Sequence, residues 1–197
     1  MRLVLIGAVC GLAWAAGLRG YMSELAGAES SVTWAGTMAG ILAPGVVVGG
    51  LLGWAEQLRK SGGPRGWRRL VLSPLLFAAA PLAMPGALAA LVTTGIGGGA
   101  VMVPLIGLAG GYALCGRGRV WPRTACGILA LSIIPLWAMV APLAGGSSLA
   151  VDTPRGTLVA LHLYALLTVL SFACSIPFRP VVAAGQSWAP KATSERV

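Results

Sequence analysis

Apolar runs separated by short polar or glycine-rich stretches recur along the whole chain, at about 3–22, 35–55, 70–92, 96–115, 124–144 and 156–178. Each is long enough to cross ~30 Å of hydrocarbon as a helix rising ~1.5 Å per residue, so the pattern predicts six transmembrane helices. Nothing between Arg69 and Arg117 is charged. One helix of that length would reach roughly twice the hydrocarbon thickness. The run must therefore turn back, and Thr93-Thr94-Gly95-Ile96-Gly97-Gly98-Gly99 is the place, as a plain hairpin turn or as a re-entrant loop offering backbone groups to an ion. The expected fold is an all-α membrane protein, a six-transmembrane-helix bundle forming one domain over residues 1–179. Residues 180–197, polar and punctuated by proline, are expected to be a loosely ordered cytoplasmic tail.

The distribution of charge orients this bundle. Arg2, residues 56–69, residues 116–123 and the tail from Arg179 hold 12 of the 14 Lys and Arg. The alternate connections hold only Arg19 and Arg155, against Glu24, Glu29 and Asp152. The positive-inside rule then places both termini in the cytoplasm, with the protein multi-pass in the plasma membrane. Trp54, Trp67 and Trp121 are expected at the inner interface, and Tyr21 and Trp34 at the outer one. Arg2 and the following apolar run resemble a signal peptide in pattern, but are read as an uncleaved first span.

Composition narrows the class. With 57% hydrophobic and 10% charged residues, the 197-residue chain is too apolar for a soluble globular domain. Its 29 Gly and 13 Pro sit inside the apolar runs rather than replacing them, which excludes disorder. The net charge of +9 is accounted for by topology, so no nucleic-acid partner is expected and anionic lipid headgroups are the counterpart.

Helices in lipid associate where small residues let their backbones approach. Gly7 and Gly11, Gly36 and Gly40, Gly45, Gly49 and Gly53, and Gly107 and Gly111 recur at four-residue steps in the first, second and fourth spans. These three helices are expected to pack tightly, within one chain or between chains. A homo-oligomer or a place in a larger membrane complex is therefore expected. Tyr164, Thr168, Ser171 and Ser175 lie on one face of the last span, expected to point into protein, as a polar path or as hydroxyls bonded to the preceding turn.

Enzymatic constellations are nearly absent: one His, no paired carboxylates within a span and no Cys-x-x-Cys. No catalytic residue, metal or cofactor is expected, and the four Cys read as free thiols. His162 lies about two turns into the last span, which starts at the capping sequence Asp152-Thr153-Pro154, with Arg155 on the same face. An ionisable group at that depth is either functional or a neutral ring bonded to a neighbouring helix. Trp14 and Trp137 share its expected depth, below a connection carrying Arg19 and Trp34. Trp14, Arg19, Trp34, Trp137 and His162 thus make a candidate outer-half ligand pocket. Glu24, Glu56, Asp152 and Arg155 are candidate ion-pair or gating residues, Glu56 with Arg59 and Lys60 at helical neighbour positions. The expected function is small-solute transport or binding through that pocket. The alternative is a non-catalytic accessory or assembly subunit. The third is a lipid-modifying enzyme using Arg19 and His162.

Overall fold

The computed structural model describes all residues except 28, 29, 31, 65, 84, 85, 87–97 and 182–197. Among the described residues every regular element is helical. Helix α1 (Arg2–Ala26) runs without proline and stops at Gly27, whose φ of 54° is a backbone angle side chains rarely adopt. The second apolar segment opens as a π-helical stretch (Trp34–Leu42), capped by Thr33 Oγ1 accepting from Gly36 N at 3.0 Å, and continues as α2 (Ala43–Lys60). The third is a 3-10 stretch (Trp67–Leu75) leading into the short α3 (Leu76–Leu82). Then follow α4 (Gly98–Leu114), α5 (Val120–Leu131), α6 (Ile133–Gly145) and α7 (Pro154–Ser175), which runs on into a 3-10 turn, Ile176–Phe178.

Four helical stretches are long and apolar enough to span a membrane: Arg2–Ala26, Trp34–Lys60, Val120–Leu143 and Pro154–Phe178. The chain thus reads as a multi-pass membrane protein. The fourth expected span is a shorter apolar helix of 17 residues. The expected span at 70–92 differs more: its first turns are 3-10 and the α-helical part is 7 residues long. Pro74 lies inside that 3-10 stretch and lacks the N–H that an α-helical ladder would use there. The turn expected at 93–99 falls outside the described residues, except that Gly98 and Gly99 already belong to α4. The expected tail falls outside them from residue 182. The fifth segment is interrupted at Ser132, where Pro135 has no N–H for the carbonyl of Leu131 and its ring crowds that carbonyl.

Glycines decide which helices touch. A Cβ placed on Gly7 or Gly11 would run into the carbonyls of Gly49 and Gly45, and one on Gly49 would lie 2.8 Å from Gly11 Cα. Gly53 meets the Leu3 carbonyl in the same way. Helices α1 and α2 therefore lie backbone against backbone. Gly107 and Gly111 face a different partner: a Cβ on Gly107 would lie 2.6 Å from the Leu170 side chain, and one on Gly111 2.7 Å from the Cys174 backbone. The two glycine-rich faces thus serve two separate helix pairs, α1 with α2 and α4 with α7. They do not join three helices in one contact.

Helix α7 is the central element. Half of its apolar window is buried by the rest of the chain, against 11% for α1 and for Val120–Leu143. The core around it is built from Ala15, Leu18 and Tyr21 of α1, Phe77 of α3, Ile106 of α4 and Trp137 of α6.

The two ends of the molecule differ in charge. At one, Met1 N donates to Gln57 Oε1 (3.1 Å), Arg59 Nη1 to the Pro180 carbonyl (3.1 Å) and Arg123 Nη2 to the Ala113 carbonyl (3.1 Å). At the other, Arg155 Nη2 meets both the carbonyl (3.1 Å) and the carboxylate (3.5 Å) of Glu24, tying the start of α7 to the end of α1. Among the described residues, the N-terminus, Arg59 and the chain at Pro180 are thereby gathered at one end, and Arg19 and Arg155 lie at the opposite end.

Two expectations about side chains are corrected here. Tyr21, expected at a water-facing interface, is buried between Trp137 and His162, and Trp67 is buried as well, whereas Trp34, Trp54 and Trp121 are exposed. The hydroxyl face of α7 does not point into protein as a unit: Ser171 and Ser175 are buried, but Thr168 is exposed. Thr168 Oγ1 donates to the Tyr164 carbonyl (2.7 Å) and Ser175 Oγ to the Phe172 carbonyl (2.6 Å), so both are satisfied by their own helix.

Candidate functional site

Helix α1 presents Trp14, Leu18, Tyr21 and Leu25 at steps of four, three and four residues, one continuous face turned towards α6 and α7. Tyr21 is its centre. Its ring lies 5.8 Å from that of Trp137 and 6.1 Å, edge-on, from that of His162. His162 also lies beside Gly17, one turn before Tyr21: a Cβ there would find Nε2 at 3.7 Å, an ordinary contact, and Leu166 Cδ2 at 3.2 Å. Tyr164, two residues further along α7, donates instead to the Ile134 carbonyl on α6 (3.3 Å), so the two residues face different neighbours.

The two tryptophans are held differently. Trp14 Nε1 donates to the carbonyl of Leu166 (2.8 Å), and its ring packs edge-on against Phe77, with centroids 5.4 Å apart. It thus meets α7 one turn beyond His162, further from the Arg155 end. Trp137 is 7% exposed, and its indole N–H has no hydrogen-bond partner among the described residues. A buried, unpaired N–H carries a desolvation cost of about 1–3 kcal/mol.

Two cavities between the helices bear on these side chains. The first, about 260 Å³, runs along the glycine contact of α1 and α2 and includes Trp14, with Glu56 near one end. The second, about 650 Å³, extends from Leu25 and Gly36 at the Arg155 end to Phe77 and Leu167. All six apolar segments contribute to its wall, among them Tyr21 of α1, Gly40 of the π-helical stretch, Ile106 of α4 and Trp137 of α6. Among the described residues no charged side chain lines it.

The five residues expected to form one pocket are therefore distributed. Trp137 lines the larger cavity, Trp14 the smaller, and His162 neither. Trp34 is 82% exposed. Arg19 is also absent from both walls; its guanidinium donates to Ser23 Oγ (2.6 Å), Ser30 Oγ (3.3 Å) and Thr37 Oγ1 (3.4 Å). Helix periodicity assigns a face, but it does not say which residues lie opposite: Trp14 meets Phe77 and Leu166, whereas Trp137 meets Tyr21. Tyr21 and Phe77, central to the larger cavity, were missed. The four-three-four spacing of the α1 face held the signal for Tyr21, while nothing in Leu75-Leu76-Phe77-Ala78 distinguishes Phe77.

The ionic candidates form pairs at the two ends. Glu56 is held by Arg59 (2.7 Å) and Lys60 (3.5 Å) on its own helix. Glu24 pairs with Arg155, and Asp152 is exposed in the turn before α7. The capping sequence is in place: Thr153 Oγ1 accepts from Gly156 N (3.0 Å), with Pro154 opening the helix. All four cysteines are free, and among the described residues no group of His, Cys, Asp and Glu could hold a metal ion. Comparisons of the chain with models of known protein families, with curated proteins and with solved structures find no match.

Proposed function

We propose that this multi-pass membrane protein binds a small, largely apolar solute in the 650 Å³ cavity and serves its transport across, or presentation within, the membrane. The observation that carries this reading is the cavity itself. Its volume lies within the ~300–1,000 Å³ of small-molecule sites, and its wall is drawn from every apolar segment, so movement of any helix would reshape it. With both termini cytoplasmic, as the bias of Lys and Arg implies, the cavity lies in the outer half of a six-span bundle. Arginines at the opposite end then rest on anionic headgroups of the inner leaflet.

The accessory-subunit reading draws on one specific observation. No residue of α5 is buried, and Trp121, Met139 and Leu143 along the α5–α6 segment are at least 72% exposed, a face that lipid or another subunit would cover. Native mass spectrometry of the protein released from mild detergent separates the two. Retention of a lipid-soluble small molecule, lost in Ala100→Phe, which fills the cavity from α4, supports the solute reading. A stoichiometric complex with another polypeptide and no small molecule puts the accessory reading first.

A further inference from the structure

We propose that the cavity selects neutral, lipid-soluble molecules that carry a hydrogen-bond acceptor such as a carbonyl oxygen, and that the indole N–H of Trp137 is the donor that recognises it. The inference rests on the solute-binding reading above and adds the chemistry of the solute. Three observations carry it. The wall has no charged side chain among the described residues, so an ionic solute would lose its hydration with no compensating partner. Trp137 lies on that wall, buried, with an N–H that no atom of the described residues accepts. The protein is able to satisfy a buried indole, since Trp14 donates to Leu166 O at 2.8 Å, and Trp137 stands apart from it in this respect. Ser73 Oγ, the other buried side-chain polar atom without a partner among the described residues, belongs to a residue that does not line this wall.

Water resolves the unpaired N–H poorly, because a buried water needs two to four polar partners and this wall, apart from the hydroxyl of Tyr21, is almost wholly hydrocarbon. A ligand with an apolar body and one acceptor oxygen meets both needs: it fills the space with dispersion contacts and takes the N–H. The N–H is covered in the empty cavity, so the ligand oxygen reaches it through a small turn of the indole, a rotamer adjustment common at binding sites. Tyr21, whose ring is tilted 51° to the indole at 5.8 Å, is its neighbour on the wall.

The test compares two probes of the same shape, 2-acetylnaphthalene, which has a carbonyl, and 2-isopropenylnaphthalene, which has a methylene in its place. Both are titrated into the full chain in detergent, with partition into protein-free micelles subtracted. Nitrogen-15-labelled tryptophan gives a signal for each of the seven indole N–H groups. That of Trp137 is identified by its loss in Trp137→Phe or, should that variant not fold, by its through-space contacts to the Tyr21 ring. The expected result is binding of both probes, the ketone about three- to tenfold more tightly. The Trp137 signal should move downfield with the ketone alone, and Trp137→Phe should erase the preference. Equal binding with no such shift would overturn the acceptor inference and leave the cavity reading standing. Failure of both probes to bind would overturn the cavity reading itself.

Discussion

Trp14 and Trp137 are chemically identical, yet among the described residues only Trp14 has its N–H accepted. Their conservative variants should therefore behave differently. Trp14→Phe loses the bond to Leu166 O and should lower stability in detergent by about 1 kcal/mol. Trp137→Phe removes an unpaired buried donor and should cost less than that in the empty protein. Denaturant unfolding followed by circular dichroism measures both, and the reverse order would mean that Trp137 has an acceptor in solution. The pair of Arg155 and Glu24 is a weaker element. Its partners are 50% and 58% exposed and 3.5 Å apart, so Arg155→Ala should cost under about 1 kcal/mol, and raised salt should shrink the difference. A large loss on Arg155→Ala at high salt would show that this contact closes the end of the bundle.

At the scale of helices, the glycine steps are where sequence and structure meet most directly. Gly49→Ala drives a methyl group into the Gly7 carbonyl and to within 2.8 Å of Gly11 Cα, both backbone, so α1 and α2 must separate. A loss of about 1–3 kcal/mol is expected, and a larger one for Gly49→Leu. Gly50→Ala is the internal control. Its methyl would find Ala8 Cβ at 3.8 Å, an ordinary contact, and gain roughly 0.5–1 kcal/mol from helix propensity. Equal melting temperatures for Gly49→Ala and Gly50→Ala would show that α1 and α2 do not meet here. Leu52→Ala, a natural comparison from sequence alone, is a poor control because Leu52 is itself buried. The spacing of these glycines was legible in the chain, whereas the pairing was not. Gly107 and Gly111 carry the same pattern as Gly7 and Gly11, yet they meet a helix whose contact residues are Leu170 and Cys174 rather than glycines.

For the whole molecule, the placement of Arg59 at one end and of Arg19 and Arg155 at the other gives a test of orientation. With the four native cysteines replaced, Ser61→Cys should be protected from an impermeant thiol reagent applied outside intact cells, and Ser147→Cys should react. Both positions are exposed, so access depends on the membrane alone. The reverse pattern would invert the orientation and place the cavity in the inner leaflet.

What the sequence by itself determined is whatever depends on one segment at a time. Run length and hydropathy are sums along the chain, and they sufficed to mark the segments at about 3–22, 35–55, 124–144 and 156–178 that fold as the membrane-length helices Arg2–Ala26, Trp34–Lys60, Val120–Leu143 and Pro154–Phe178. The capping of α7 by Thr153 and the pairing of Glu56 with Arg59 are local for the same reason, since their partners lie within a helical turn. The uneven distribution of Lys and Arg is likewise a count. What only the tertiary structure decided depends on which surfaces face each other. Periodicity gives a helix a face but no partner, so Trp14 and Trp137 could be assigned one depth although they line different cavities. The larger cavity is the volume left over where six segments fail to fill the space between them. No residue encodes such a space on its own, and it exists only once every neighbour is in place.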